Sequence, residues 1–179
     1  LVMGGTRFVG RALVARLLEQ EHELTLFTRG RNPIPADIEH IKGDRSSRDD
    51  LESLQGRTFD VVVDSSGRTL ADTQSLIAFS GVPKHRYLYV SSAGVYAESE
   101  SWPLDEESPI DPNSRHIGKS ETESWLLSEQ IPFTSFRPTY IYGPGNYNPI
   151  EAWFFNRIEN DCPIPLPGNG STITQLGHV

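Results

Sequence analysis

Gly4-Gly5-Thr6-Arg7-Phe8-Val9-Gly10 is the most telling stretch of this chain. It follows the apolar Leu1-Val2-Met3 and opens into a segment with apolar or small residues at Gly10, Leu13, Val14, Leu17 and Leu18. That i, i+3, i+4, i+7, i+8 spacing is the buried face of a helix. A strand, a glycine turn and a helix in this order aim backbone amides and a helix N-terminus at a pyrophosphate. The bland alternative is a tight turn with no ligand. Arg7 stands where the pattern usually has its second glycine. It either pairs with a phosphate or narrows the groove.

Working outward, apolar runs predict further strands over 23–27, 38–42, 59–64, 86–91 and 133–137, with helices over 49–54, 70–79, 114–128 and 150–160. Val61-Val62-Val63 is a continuous apolar run, which suits a parallel strand covered on both faces. The alternation predicts an α/β fold, a doubly wound parallel sheet of the Rossmann type. Residues 98–113 are acidic and proline-containing and read as a surface loop; 162–179 reads as extended chain with a turn at Gly168-Asn169-Gly170. Ligands of such sheets sit outside the carboxyl ends of the strands. Gly4 to Gly10, Arg29, Asp44, Ser91 and Ser92 all fall there. The expected organisation is a dinucleotide-binding domain over 1–148 and the start of a substrate domain over 149–179, with the chain incomplete at both ends and the C-terminal substrate domain truncated.

Composition excludes several classes. A net charge of −8 and a pI near 5.1 argue against nucleic-acid binding through bulk charge. The single cysteine, Cys162, rules out an internal disulfide and a thiolate-rich metal site. No apolar run approaches the roughly 20 residues of a membrane helix. No pair of histidines or set of carboxylates has metal-ligand spacing, and Asp105-Glu106-Glu107 reads as a solvated acidic loop. Where an NAD-binding chain would carry an acidic residue about 20 positions after the glycines, this one has Thr28-Arg29-Gly30-Arg31. Arg29 and Arg31 would suit the 2′-phosphate of NADP better than NAD; the alternative is a solvated basic loop.

Ser91-Ser92-Ala93-Gly94-Val95-Tyr96, Lys119, Arg137-Pro138 and Tyr142-Gly143-Pro144-Gly145 complete a pattern with the glycine turn. Together they resemble the extended short-chain dehydrogenases/reductases, the superfamily of NAD-dependent epimerases and dehydratases. The resemblance implies a nicotinamide dinucleotide, NADP or NAD, held by Gly4 to Gly10, Arg29, Asp44, Arg45, Ser91, Lys119 and Pro138. It also implies that Ser92 bonds the substrate oxygen, and that Lys119 holds the nicotinamide ribose and lowers the pKa of a tyrosine four residues earlier. That position is Arg115 here. On a helix the two would share a face, yet an arginine cannot give up its proton as a tyrosine can. His116 titrates near neutrality, but helix geometry turns it away from the tyrosine position, and it reads as a surface helix histidine.

A narrower resemblance covers nearly the whole chain. Ser114-Arg115-His116 with Gly118-Lys119 and Glu121-Thr122-Glu123, then Tyr140-Ile141-Tyr142-Gly143-Pro144, Asn146-Tyr147-Asn148-Pro149, Trp153-Phe154-Phe155 and Gln175-Leu176-Gly177-His178-Val179, are similar to the chloroplast stem-loop-binding proteins of the b type. That family implies a protein of the plastid stroma, or of the cytoplasm of a photosynthetic bacterium. It implies binding and cutting of structured RNA, association with ribosome or RNA-polymerase complexes, and a homo-oligomer or complex subunit. From the residues alone, Trp153-Phe154-Phe155 with Arg157 is the best aromatic-basic cluster for RNA, although such a helix more often packs on a domain or subunit. The resulting expectation is a dinucleotide-binding protein without tyrosine-dependent redox chemistry. An active nucleotide-sugar epimerase, dehydratase or reductase with an atypical acid/base is the competing one.

Overall fold

The computed structural model describes residues 1–171 and 173–179. The valine run forms β4 (Val61–Asp64) in the middle of a sheet. Around it lie β1 (Val2–Met3), β2 (Thr25–Thr28), β3 (Glu39–Lys42), β5 (Arg86–Val90) and β6 (Phe133–Phe136), in the order β3-β2-β1-β4-β5-β6. Every pairing is parallel; Val2, for example, lies between Leu26 and Val63. The order reverses at β1, which is the doubly wound topology with its ligand crevice beside the first strand.

Successive strand residues feed opposite faces, as pleating requires. Val2, Leu26 and Val63 join Val14 of α1 (Phe8–Glu19) in one cluster. Met3, Phe27 and Val62 join Tyr87, Tyr89, Leu76, Phe79 and Leu126 in the other. The second cluster draws on α3 (Leu70–Ser80), α4 (Ile117–Ser128), and α2 (Arg48–Leu51) with the 3₁₀ turn Glu52–Leu54 that follows it. Burying one large apolar side chain stabilises by about 1.5–3 kcal/mol, so two such layers account for the sheet's position. At the start of α3, Thr69 and Asp72 form a reciprocal capping box.

Two parts of the expected layout differ. Residues 114–116 are not helical: α4 starts at Ile117, with His116 at the N-cap. Arg115 therefore lies in the turn before the helix rather than on a face shared with Lys119. The Ile117 amide bonds Ser114 O at 3.0 Å and the Lys119 amide bonds His116 O at 2.8 Å, and these contacts close the turn.

The second difference is in the C-terminal part. The chain forms two compact units, Leu1–Pro138 and Thr139–Val179. Within the second unit, β7 (Tyr140–Tyr142) pairs in parallel with β8 (Leu176–His178), and α5 (Ile150–Glu159) lies between them in sequence. Neither short strand was expected, because three residues carry no readable period and the ladder joins positions far apart in the chain. Trp153, Phe154, Phe155 and Ile158 of α5 are exposed.

Candidate dinucleotide and substrate site

The glycine turn follows β1. Gly4 and Gly5 have φ of +106° and +94°, a region that favours glycine. A Cβ on Gly5 would stand 2.9 Å from Val14 Cγ2, and one on Gly10 would stand 2.8 Å from Gly5 Cα. The helix thus approaches the strand closely because both residues lack side chains. Arg7 is extended (φ −139°), stands at the N-cap of α1, and is exposed. Its backbone does not need glycine, so the substitution at this point of the pattern is one of space and charge. Phe8 takes the positive φ instead, at 41°. Asn32 Nδ2 donates to Thr6 Oγ1 at 3.3 Å, which ties the segment after β2 to the turn.

Arg29 and Arg31 are exposed beyond β2. Their charges act on Asp44 beyond β3, whose carboxyl lies below its usual 3.8 mainly because the Ser46 amide and hydroxyl bond it. Arg45 points elsewhere: its guanidinium grips Asp64 at 2.6 and 3.1 Å and also donates to Ser66 Oγ and Asp72 O. Asp64 further accepts from Tyr87 Oη at 2.8 Å and from the Ser66 and Gly67 amides. Burial alone would raise the Asp64 carboxyl, but Arg45 and these donors hold it below 3.8. This network fixes the loop after β4. Sequence reading missed Asp64, although a lone carboxylate closing Val61-Val62-Val63 is a signal, because a buried charge demands a partner.

That loop meets Lys119. Lys119 Nζ donates to Gly67 O at 2.5 Å and to Val90 O at 2.6 Å, and it lies 4.9 Å from the Tyr89 ring centroid. An ammonium has three donors, so one is left for a ligand. Burial first, with the Arg45 and Arg68 charges, outweighs Asp64 and Asp72 and brings Lys119 below 10.5.

Ser91 is buried at the end of β5, and Ser92 follows it as the cap of a 3₁₀ turn (Ala93–Val95), its Oγ accepting from the Gly94 amide at 3.1 Å. The Arg137-Pro138 pair holds this loop. Pro138 O accepts from the Ala93 amide at 2.9 Å, while Arg137 binds Glu123 Oε2 at 2.5 Å and Tyr96 Oη at 3.0 Å. Burial would raise the Glu123 carboxyl, but Arg137 and Ser135 keep it below 4.5.

His116 is not the surface helix residue expected from sequence. It is half-buried, and a Cβ on Gly94 would lie 2.6 Å from its Cδ2, 3.1 Å from its Nε2 and 3.3 Å from Ser92 Oγ. Arg115 Nε approaches His116 Nε2 at 3.0 Å, an arrangement in which the imidazole accepts. Burial, then the charges of Arg115, Lys119 and Arg68, push its pKa below 6.5. Ser92, His116 and Lys119 therefore gather at the carboxyl ends of β4 and β5, with Arg115 on the outer side.

The pattern for the NAD dependent epimerase/dehydratase family matches residues 1–179. The chain belongs to that family. It is 46% identical over 196 residues to the Arabidopsis thaliana chloroplast stem-loop binding protein of 41 kDa b, an alignment covering all of this chain and 51% of that protein. The chain thus spans about half the length of that relative. It is 23% identical to a putative UDP-glucose 4-epimerase of Methanocaldococcus jannaschii, over 100% of this chain and 69% of that one. Among solved structures, a Thermus thermophilus UDP-glucose 4-epimerase in complex with NAD superimposes with a TM-score of 0.80 at 19% identity, over 99% of this chain and 69% of that one. A Bacillus anthracis dTDP-glucose 4,6-dehydratase in complex with NAD gives 0.77 at 19% identity, covering 99% and 66%. At such identities the structural likeness shows the Rossmann-like fold alone.

Proposed function

We propose that this chain is the dinucleotide-binding part of a protein that has lost tyrosine-dependent proton transfer and acts on structured RNA. The observation carrying this reading is Arg115, a permanent cation four residues before Lys119 in the chain, where the family resemblance calls for a titrating tyrosine; it lies in the turn before α4 and engages His116 Nε2 at 3.0 Å. The 46% identity to a stem-loop binding protein supports the RNA assignment.

The cradle fits a nicotinamide dinucleotide. Gly4 and Gly5 take positive φ, and Gly10 packs without a side chain on Gly5. Gly4 to Gly10 would hold the pyrophosphate, Ser91 and Pro138 would line the nicotinamide side, and Lys119 would give its third N–H to the ribose. Arg29 and Arg31 favour NADP, tempered by Asp44, on which both charges act. When bound, the dinucleotide offers hydride exchange; in this reading it serves instead to stabilise the fold by mass action. The relative is a chloroplast protein, which supports a plastid location; ribosome or polymerase complexes, and the alternative of a photosynthetic bacterial cytoplasm, rest on the family resemblance alone.

A second reading has one observation in its favour. Ser92 Oγ and His116 Nε2 flank the same point above Gly94, and a neutral imidazole there could take a hydroxyl proton in place of the tyrosine. Purified protein given NAD or NADP decides between them. Binding by calorimetry, retardation of an RNA hairpin and no turnover of nucleotide sugars is the expected result; turnover abolished by Ser92→Ala would refute it.

A further inference from the structure

We propose that Arg68, Arg115 and His116 form a phosphate-binding site at the start of α4, taking the phosphate of an ester ligand, which on the preceding reading is an RNA phosphodiester. Three segments converge there. A Cβ on Gly118 would lie 2.7 Å from Arg68 O and 3.1 Å from Thr69 Cα, so the backbone of Arg68 lies against the first turn of α4. Arg115 Nε contacts His116 Nε2, and the His116 ring rests on Gly94.

The charges in this cluster are unbalanced. Every charged group acting on His116 is a cation: Arg115, Lys119 and Arg68. Ser92 and Gly94, packed against its ring, are neutral. Among the described residues, ion pairs engage Arg16, Arg45, Arg57, Lys84 and Arg137, but neither Arg68 nor Arg115. Asp72 is the nearest carboxylate, and its Oδ2 accepts from the Arg68 and Thr69 amides at 2.8 and 2.9 Å, where it caps α3 instead of pairing either guanidinium. Like charges gathered at one point repel, and an anion between them turns that repulsion into attraction.

The chemistry suits phosphate. Arginine presents a planar fork of donors matched to phosphate oxygens. The start of α4 adds to it, with no side-chain cap and no acidic residue in its first turn. Lys119 is largely committed to Gly67 O and Val90 O, so the two arginines make the first contacts. His116 adds a pH-dependent contact: once protonated, its Nε2 donates to the ligand instead of accepting from Arg115.

The test follows the His116 imidazole by NMR across pH, with and without inorganic phosphate, in the full chain and in Arg68→Gln/Arg115→Gln. In parallel, anisotropy of a labelled RNA hairpin is read for both proteins and for His116→Gln. Phosphate should raise the His116 pKa in the wild type and leave it unmoved in the double variant. RNA affinity should fall at least tenfold in the double variant, and its log–log salt slope should shrink by about 0.7–0.9 per lost contact. Affinity should tighten as pH falls below 6.5 in the wild type only, not in His116→Gln. A His116 pKa indifferent to phosphate, or shifted equally in both proteins, overturns the site; undiminished RNA binding by the double variant in that case leaves the RNA reading standing. A phosphate response in a wild type that binds no RNA upholds the site and fails the RNA reading, and a matching response to ribose 5-phosphate then assigns it to a small phosphate ester.

Discussion

Asp64→Asn should be the most damaging conservative change in the sheet. The Asp64 side chain is 0% exposed and that of Arg45 13%. The carboxylate accepts five hydrogen bonds: two from Arg45 at 2.6 and 3.1 Å, one from Tyr87 at 2.8 Å, and the Ser66 and Gly67 amides at 3.1 and 2.8 Å. Asparagine cancels the charge and turns an NH₂ toward donors, leaving a buried guanidinium uncompensated. Breaking one side of a buried pair in this way costs about 3–5 kcal/mol. That is a large share of the roughly 5–15 kcal/mol holding a typical domain together. At about 2–4 °C per kcal/mol for a chain of this size, the melting temperature should fall by about 6–20 °C.

The assay is urea unfolding at pH 7, read by fluorescence, of wild type, Asp64→Asn, and Arg45→Met combined with Asp64→Leu. Removing both charges should recover much of the loss, because the pair's own desolvation disappears with it. The pH profile supplies an independent check. The Asp64 pKa is depressed in the folded state, so its contribution is complete above the unfolded value near 3.8 and is lost as pH falls through the lower folded value. The gap between wild type and Asp64→Asn should therefore stay constant from neutrality to about pH 4 and close below it. A loss under about 1 kcal/mol for Asp64→Asn, or a double variant no better than the single one, would refute the argument.

Gly10→Ala puts a Cβ 2.8 Å from Gly5 Cα, backbone against backbone. It should cost about 1–3 kcal/mol by overpacking and abolish dinucleotide binding in calorimetry. Arg29→Gln with Arg31→Gln should weaken NADP at least tenfold and leave NAD within twofold; equal losses would show that neither arginine meets the 2′-phosphate. Gly94→Ala drives a methyl to 2.6 Å from His116 Cδ2, so the imidazole must move out. Its pKa should return toward 6.5 as burial is relieved, measured by NMR. With the folded pKa below the unfolded one, wild-type stability from this histidine is complete above 6.5 and declines as pH falls; Gly94→Ala should flatten that decline.

Much of the architecture was readable from local pattern. The valine run, the glycine turn and the helical spacing through Leu18 each report a nearest-neighbour preference, and a parallel sheet with helices on both faces is the only arrangement burying all of them. The sequence also carried Arg115 four residues before Lys119, and Thr28-Arg29-Gly30-Arg31 after β2 without an acidic residue. What pattern could not carry were relations between distant residues. Arg45 reads as a cofactor residue by position, but its guanidinium turns inward because Asp64 is buried and must be paired. His116 reads as a helix-surface residue, but the helix begins one residue later and the side-chain-free Gly94 admits its ring. The two bonds of Lys119 to Gly67 O and Val90 O exist only because the ends of β4 and β5 meet α4. By itself the sequence determined the sheet and the glycine turn. The tertiary structure alone decided which charges pair inside the fold, as Arg45 and Arg137 do, and which, such as Arg68 and Arg115, stay outside the ion pairs of the described residues, because burial and pairing depend on neighbours that spacing along the chain does not name.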